Sequence, residues 1–299
     1  MLELTDTHCH IHEIAGTTGG VAEKWHKAGI TDPDVLIKEA AADGVTRMLC
    51  VGCTLEDSKL AIELAAKHEN IWATIGIHPH EAKDYAANPK LLNEFAALLA
   101  PDRGGGHGGS PDARNAVSTT GEVLPDRTPL THKIVAIGEC GLDYFYNHSP
   151  KEAQIKVLRF QLELAQKHNL PMTFHIREAF EDFWPIFDEY QGIHGVVHSF
   201  TATQKELDEA LSRGLYIALN GIATFTKHVK QIEAAKAVPL NRLLLETDAP
   251  FLTPQPLRAN ICEPKHVRVT AEFLAELRGE TLERLAEATT KNARTLFGL

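Results

Sequence analysis

Short apolar or β-branched runs alternate with amphipathic helical patterns eight times along this 299-residue chain. The runs predict strands at residues 2–8, 45–52, 71–76, 133–139, 170–175, 193–198, 215–220 and 242–248. The helical patterns lie at residues 32–43, 55–69, 89–100, 150–168, 178–190, 203–213, 226–237 and 264–297, the last as one helix or two. Strands separated by helices of this length indicate βαβ units and a parallel sheet. Eight such units favour an α/β fold that closes into a (β/α)8 TIM barrel, as a single domain over residues 1–299.

One segment interrupts this alternation. Residues 101–131 are rich in Gly, Pro, Ser and Thr, a composition typical of a long loop. Because the segment follows a helix and precedes a strand, we expect an insertion at the N-terminal end of the barrel, away from the catalytic face. His107 stands among its glycines, and we expect it to be solvated.

The composition excludes several classes of protein. Hydrophobic residues make up 43% of the chain and charged residues 23%, which fits a globular protein with a full core. A formal charge of −10 argues against a broad basic face that coats duplex nucleic acid, but not against a local metal site that takes a strand end. The apolar runs are too short to span a bilayer and the N-terminus lacks a signal-peptide pattern, so we expect a cytoplasmic protein without membrane contact. No exposed heptad or apolar stripe is evident, so we expect a monomer.

The five cysteines do not predict a disulfide framework in a chain of this length. Cys50 and Cys53 form a CxxC motif without the second pair that a zinc ribbon needs. We expect two reduced thiols near the end of a buried strand.

Residues that can hold a metal ion fall at the C-terminal ends of the predicted strands. His8 and His10 follow the first strand at a spacing of two, which places both imidazoles on one face. The fourth, fifth, sixth and eighth strands are predicted to close with Glu139, His175, His198 and Asp248. Barrel enzymes build their active sites at this end. Histidines with carboxylates suit zinc, manganese or a similar ion, and one carboxylate can bridge two ions about 3.5–4 Å apart.

Six ordered motifs can then be compared with a family. They are Thr5-Asp6-Thr7-His8-Cys9-His10, Gly76-Ile77-His78-Pro79-His80, Gly138-Glu139-Cys140-Gly141-Leu142-Asp143-Tyr144, His175-Ile176-Arg177, His198-Ser199-Phe200-Thr201 and Glu246-Thr247-Asp248-Ala249-Pro250. This set resembles the TatD family, metal-dependent deoxyribonucleases within the amidohydrolase superfamily of TIM barrels. The resemblance implies that His8, His10, Glu139 and Asp248 hold one divalent ion. It implies that Glu139, His175 and His198 hold a second, with Glu139 bridging.

Together with these residues, the resemblance implies exonucleolytic hydrolysis of DNA ends, single-stranded ones in particular. Two ions (Zn, Mg or Mn) lower the pKa of a water, Glu139 bridges the ions, and Asp248 accepts the proton as the catalytic base. Arg177 is a candidate phosphate clamp, with pairing to Glu178 or Glu181 as the alternative. Further candidates for substrate contact are His78 and His80, and the alternative for His80 is a helix-entry residue without a role. The aromatic pair Tyr144 and Phe145 can stack on a base, with core packing as the alternative. Glu246 is expected to orient a metal ligand through a hydrogen bond, with pairing to a nearby cation as the alternative.

Three departures from the family pattern bear on the substrate. Ser199 and Ala202 stand where family members commonly have Cys and Gly. The segment Ile261-Cys262-Glu263-Pro264 stands where the family has Arg-Asn-x-Pro. Either Arg258 and Asn260 take over the substrate contact of that segment, or the contact is missing. A lactonase, phosphotriesterase or amidase stays open, because one fold and one metal cluster serve many chemistries. A binding module with structural metals is disfavoured, because six ligands for two ions leave positions for water.

Overall fold

The computed structural model describes residues 2–16, 20–100 and 131–299. The predicted insertion at about 101–131, with His107, lies outside the described residues except for Thr131. That part of the prediction is not tested.

Eight parallel strands form one sheet in chain order, so the predicted barrel is confirmed. They are β1 (Leu4–Cys9), β2 (Val45–Val51), β3 (Ile71–Ile75), β4 (Ile134–Asp143), β5 (Met172–Arg177), β6 (Gly195–Val197), β7 (Tyr216–Leu219) and β8 (Leu243–Leu245). Each predicted strand matches one of these. All ten residues of β4 are buried, which fits a central strand covered on both faces.

Eleven helices connect or flank the described strands. They are α1 (Gly20–Lys27), α2 (Pro33–Ala42), α3 (Leu55–Lys67), α4 (Ala82–Ala86), α5 (Pro89–Ala96), α6 (Lys151–His168), α7 (Phe180–Phe187), α8 (Gln204–Ser212), α9 (Val229–Ala237), α10 (Val267–Arg278) and α11 (Leu282–Phe297). The sequence patterns missed α1 and α4, which are short and lie in loops. The predicted helix at 264–297 is two helices, because Gly279 adopts a left-handed φ of 66° and ends α10.

Helix α6 shows how the sequence positions a helix on the barrel. Val157, Leu158, Leu162 and Ala165 recur at helical spacing and are all buried, as the pattern predicts. Each fully buried leucine contributes about 1.5–3 kcal/mol. Gln161 on the same face is also buried, because its side-chain amide accepts from the N–H of Ile77 at 2.8 Å and donates to the Ile77 carbonyl at 3.0 Å.

The barrel closes between its first and last strands at the C-terminal end. A single parallel bridge joins Cys9 to Ala249. The N–H of Asp248 donates to the carbonyl of His8 at 2.8 Å, and the N–H of His10 donates to that of Ala249 at 2.8 Å. This closure, which we call the β8–β1 seam, brings the start of the chain against the residues that follow β8.

None of the described helices is both long and apolar enough to cross a bilayer. The five cysteines are free thiols, Cys50 lies buried within β2, and Cys53 follows that strand, as expected.

Candidate metal centre

The residues predicted as metal ligands gather at the C-terminal end of the barrel. A cavity of about 660 Å³ lies there, lined in part by His10, Glu139, His175, His198 and Asp248, with the buried His8 beneath. The prediction that Glu139 closes the fourth strand is wrong, because β4 continues to Asp143. Glu139 instead lies at a register irregularity between Ile137 and Cys140, which turns its side chain into the mouth.

Glu139 stands at the centre of the site. Its Oε2 lies 3.2 Å from Nε2 of His8, and its Oε1 lies 2.8 Å from Nδ1 of His175 and 2.9 Å from Nε2 of His198. The two oxygens therefore face histidines from opposite sides of the barrel. Gly76 permits this placement, because a side chain there would collide with the backbone of Glu139. One carboxylate with histidines on both oxygens has the arrangement of a bridging ligand.

Asp248 faces the same nitrogen of His8 as Glu139 does, and it also faces His10. Its Oδ1 is 3.3 Å from Nε2 of His10 and 3.6 Å from Nε2 of His8. The backbone of Asp248 adopts φ of 63°, a left-handed conformation that a residue other than glycine rarely takes. Such strain is maintained only where surrounding contacts fix it, as the β8–β1 seam does here.

The electrostatics keep both carboxylates ionised. Burial pushes the pKa of Glu139 upward, but the nearby His198, His78 and His175 hold it well below its usual value. Burial likewise opposes ionisation of Asp248, yet hydrogen bonding to His10 and the charge of His8 lower its pKa. An ionised carboxylate is the form that binds a cation.

The histidines divide into two groups. Burial and the charge of His198 lower the pKa of His8, and burial lowers the pKa of His78 to about 4, so both favour the neutral imidazole that a metal requires. Burial opposes protonation of His10, but hydrogen bonding to Asp248 raises its pKa to about 9. In the absence of a cation, protons on such histidines offset the carboxylate charge.

The donor set fits divalent cations. Neither ring nitrogen of the buried His8 makes a hydrogen bond among the described residues, although Glu139 is close. A buried polar atom left without a partner costs about 1–3 kcal/mol, and a cation removes that cost. Two groups that could hold an ion share Glu139, one formed with His8 and His10 and the other with His78 and His175. Mixed imidazole and carboxylate donors suit zinc or manganese.

Asp143 is a candidate functional residue that sequence reasoning missed. It is fully buried, and its Oδ2 lies 3.0 Å from Nε2 of His175 and 3.0 Å from Nε2 of His80. Its Oδ1 accepts from the N–H groups of Phe145 and Tyr146 at 2.9 Å each. A proton on Nε2 of His175 leaves Nδ1 as the lone-pair nitrogen towards Glu139. The sequence signal was its place in the same motif as Glu139, four positions further on, for which no role was inferred.

Glu246 occupies the expected place behind a candidate ligand. Its Oε1 accepts from the N–H of Ser199 at 2.7 Å and from the side-chain amide of Asn220 at 3.1 Å, and it lies 3.4 Å from Nδ1 of His198. Ser199, one of the departures from the family pattern, thus takes part in fixing His198.

Three of the four predicted substrate contacts lie at the mouth of the barrel, and the fourth, Tyr144, does not. His78, His80 and Arg177 line the cavity. The guanidinium carbon of Arg177 lies 4.2 Å from the ring centre of Phe145 and 4.7 Å from that of Tyr146. Within the described part of the chain Arg177 forms no ion pair with Glu178 or Glu181, so that alternative gains no support.

Tyr144 is placed away from the cavity lining. The ammonium of Lys151 lies 3.7 Å from its ring centre, and its hydroxyl is buried. Phe145 and Tyr146 are instead 48% and 49% exposed, and Tyr146 lines the cavity. The geometry therefore favours Phe145 and Tyr146 over Tyr144 as a stacking surface.

The segment after β8 bears on the departures from the family pattern. Arg258 packs its guanidinium 3.9 Å from the ring centre of Phe225 and donates to the carbonyl of Thr253 at 3.0 Å. Cys262 is fully buried. Neither Arg258 nor Asn260 lines the cavity at the barrel mouth.

A parallel (β/α)8 barrel with histidines and carboxylates converging on its C-terminal mouth is typical of metal-dependent hydrolases. Comparison with known proteins specifies the class further. The chain belongs to the TatD related DNase family, whose model matches residues 5–298.

The relatives that match most of the chain include a hydrolase and an exonuclease. The uncharacterized metal-dependent hydrolase YabD of Bacillus subtilis is 34% identical over 296 residues, covering 98% of each chain. The 3'-5' ssDNA/RNA exonuclease TatD of Erwinia amylovora is 36% identical over 276 residues, covering 90% of this chain and 94% of its own. A solved structure of a TatD family hydrolase from Entamoeba histolytica, 23% identical and covering 99% of both chains, shares the fold with a TM-score of 0.79.

Proposed function

We propose that this protein is a metal-dependent nuclease that hydrolyses phosphodiester bonds from the end of single-stranded nucleic acid. The observation that carries the proposal is the position of Glu139, whose two carboxylate oxygens each face candidate ligand histidines at 2.8–3.2 Å. The Erwinia amylovora relative is named as a 3'-5' ssDNA/RNA exonuclease, which supports both the substrate and a 3' starting point.

In this proposal the side chains hold two divalent ions. One set is His8, His10, Glu139 and Asp248, and the other is Glu139, His175 and His198. When bound, such a pair lowers the pKa of a water molecule and offsets charge on the phosphate. Zinc, magnesium and manganese are the candidates, because a mixed imidazole and carboxylate set accepts several metals. The cytoplasmic location and monomeric state stay predictions.

Asp248 is the proposed proton acceptor. Its side chain is 17% exposed at the floor of the cavity, and its pKa is lowered despite burial, so it is ionised at neutral pH. An ionised carboxylate beside the attacking water takes up the proton that the water loses. The left-handed backbone at Asp248 fixes the direction in which its side chain points.

Residues around the cavity hold the substrate. Arg177 presents a guanidinium that binds a phosphate through two parallel N–H bonds. His80 is held through its Nε2 by Asp143 and lines the cavity, where its Nδ1, when it also carries a proton, donates to the leaving oxygen or to a phosphate oxygen. Phe145 and Tyr146 expose aromatic faces beside Arg177, which fits stacking of nucleobases without sequence preference.

The alternative activities are not favoured. A lactonase from Deinococcus radiodurans shares only 15% identity with this chain at a TM-score of 0.54, which shows a common fold and nothing about the reaction. The family match and the relatives at 34% and 36% identity are to metal-dependent hydrolases and nucleases.

The test is a metal-swap assay on single-stranded oligonucleotides labelled at the 5' or the 3' end, with Mg2+, Mn2+ and Zn2+ supplied in turn. We expect stepwise shortening from the 3' end with at least one metal, loss of activity in Asp248→Asn and His175→Ala, and full activity in Asp84→Asn, an exposed control with the same charge change. Hydrolysis of lactones or carboxylic esters without cleavage of any oligonucleotide would contradict the proposal.

A further inference from the structure

A second group of metal-binding side chains lies beside the proposed pair of ions. His12 and Glu13 follow β1 in a short 3-10 helix (Ile11–Ala15), and Asp57 lies in the first turn of α3. One donor atom from each of these three residues and one from His10 all lie within 4.8 Å of one another. None of the three was predicted as a ligand.

The group is held firmly in place. His12 and Asp57 are 1% and 9% exposed, and Nε2 of His12 lies 2.7 Å from Oδ1 of Asp57. The N–H of Cys53 donates to the other oxygen, Oδ2, at 2.6 Å. Asp57 therefore keeps Oδ1 directed towards His12. A buried ion pair accounts for these two residues, but it does not account for Glu13 or for the nitrogen described next.

Nδ1 of His10 is a buried nitrogen without a hydrogen-bond partner among the described residues. The nearest carboxylate oxygen, Oε1 of Glu13, lies 3.9 Å away, too far for a hydrogen bond. If Nε2 of His10 binds the inner pair of ions, Nδ1 carries a proton and needs an acceptor in this direction. A water held between Nδ1 and the carboxylates meets that need.

A cation can reach the group from the cavity. His10, Glu13 and Asp57 line the same cavity as Glu139 and Asp248, and the Glu13 side chain is 21% exposed. Two carboxylates and an imidazole around one point suit a divalent ion that also keeps water ligands.

We propose that His12, Glu13 and Asp57 form a third divalent-cation site, with the Nδ1–H of His10 facing a water on that ion. The third site depends on the proposed function in one respect, because His10 is also a proposed ligand of the two ions held by Glu139. It takes manganese or zinc, and it adds positive charge to the wall of the cavity that Glu13 and Asp57 form.

The experiment counts ions in the whole protein, loaded with Mn2+ or with Zn2+ and freed of excess metal by gel filtration. We expect roughly three ions per chain in the wild type and roughly two in Glu13→Gln, a half-buried position where the isosteric amide preserves shape. Asp57→Asn is the second variant, and Glu23→Gln, exposed in α1, is the control that keeps all three. Anomalous diffraction at the manganese edge should place one peak between Glu13 and Asp57.

Two ions in the wild type, or an unchanged count and peak in folded Glu13→Gln, would overturn the third site. Folding of each variant is checked by circular dichroism. The ion count needs no turnover, so its result is independent of the nuclease assay. If the protein binds three ions but cleaves no nucleic acid, the proposed function is wrong and the third cation site is still supported.

Discussion

Replacing Asp143 by Asn should weaken metal binding without removing any ligand. The Asn oxygen can keep the two bonds from the N–H groups of Phe145 and Tyr146, but its amide N–H2 then faces Nε2 of His175 at the position of Oδ2. Two donors cannot face each other, so the proton of His175 moves to Nδ1, the nitrogen that points to Glu139. A protonated Nδ1 cannot bind a cation.

The magnitude follows from the role of hydrogen bonds behind metal ligands. Removal of such a partner costs about 10- to 100-fold in metal affinity or activity, which corresponds to about 1.4–2.7 kcal/mol. We expect the variant to need at least tenfold more Mn2+ or Zn2+ for half-maximal activity and to recover most of its kcat at saturating metal. Burial opposes ionisation of Asp143, yet hydrogen bonds from His175 and His80 hold its pKa far below the usual value, so the charge lost is present at every working pH.

The assay is a titration of metal-free protein with Mn2+ against a fluorescent chelator, followed by oligonucleotide cleavage at each metal concentration. Asp84→Asn, exposed in α4, is the matched control. A metal affinity within twofold of the wild type in folded Asp143→Asn would refute the reasoning, because the tautomer of His175 would then not depend on this carboxylate.

Three further predictions concern the centre and the mouth. Glu139→Gln should lower the metal content and weaken metal affinity more than about 100-fold, as measured by elemental analysis and titration. This loss exceeds the one expected for Asp143→Asn, because Glu139 binds the ions directly whereas Asp143 only orients His175. The double variant Phe145→Ala with Tyr146→Ala should raise KM for oligonucleotides about 5- to 150-fold, which corresponds to about 1–3 kcal/mol per stacked base. Cleavage of a small aryl phosphodiester should not change, and the exposed Val229→Ala is the control. An equal loss on both substrates would contradict stacking. In metal-free protein the pKa of His10 is raised to about 9 from 6.5, chiefly by Asp248 against the cost of burial, so its stabilising contribution is complete below pH 6.5 and lost as pH rises through 9. Urea unfolding in the presence of a chelator should show that the free energy of unfolding falls by up to about 3 kcal/mol over this pH range, and by less in His10→Gln. If the free energies of unfolding of the two proteins differed by the same amount at every pH, the His10–Asp248 pair would not be the cause.

The fold was predictable because its signal is periodic. Eight apolar runs and the helical patterns between them define eight strands in order, and closure follows from their number. Helices α1 and α4 were missed because they are eight and five residues long and lie within loops, where little periodicity accumulates. The continuation of β4 past Glu139 was missed because a register irregularity interrupts the pairing there.

Five of the six candidate ligands were predictable because they lie within three residues of the C-terminal end of a strand, and these ends meet in a parallel barrel. Glu139 lies inside β4 and was included only because the predicted strand ended too early. Asp143 and the pair of His12 with Asp57 were not predictable on that basis. Asp143 lies on the same strand as Glu139, but its partner His80 is 63 residues away, and His12 and Asp57 are 45 residues apart. Such pairings depend on how loops fold over the mouth, and a single sequence does not specify that.

The β8–β1 seam joins the first and last strands of the barrel through a few atoms next to the candidate ligands. Thr247 donates its N–H and hydroxyl to the carboxyl group of Asp6 at 2.9 and 2.6 Å, and Asp248 and His10 complete the join with backbone bonds. Cations that fasten His8 and His10 to Asp248 would therefore also clamp the first strand to the last. Stripping the metal should speed amide hydrogen exchange at residues 4–10 and 246–249 before it does so elsewhere in the barrel.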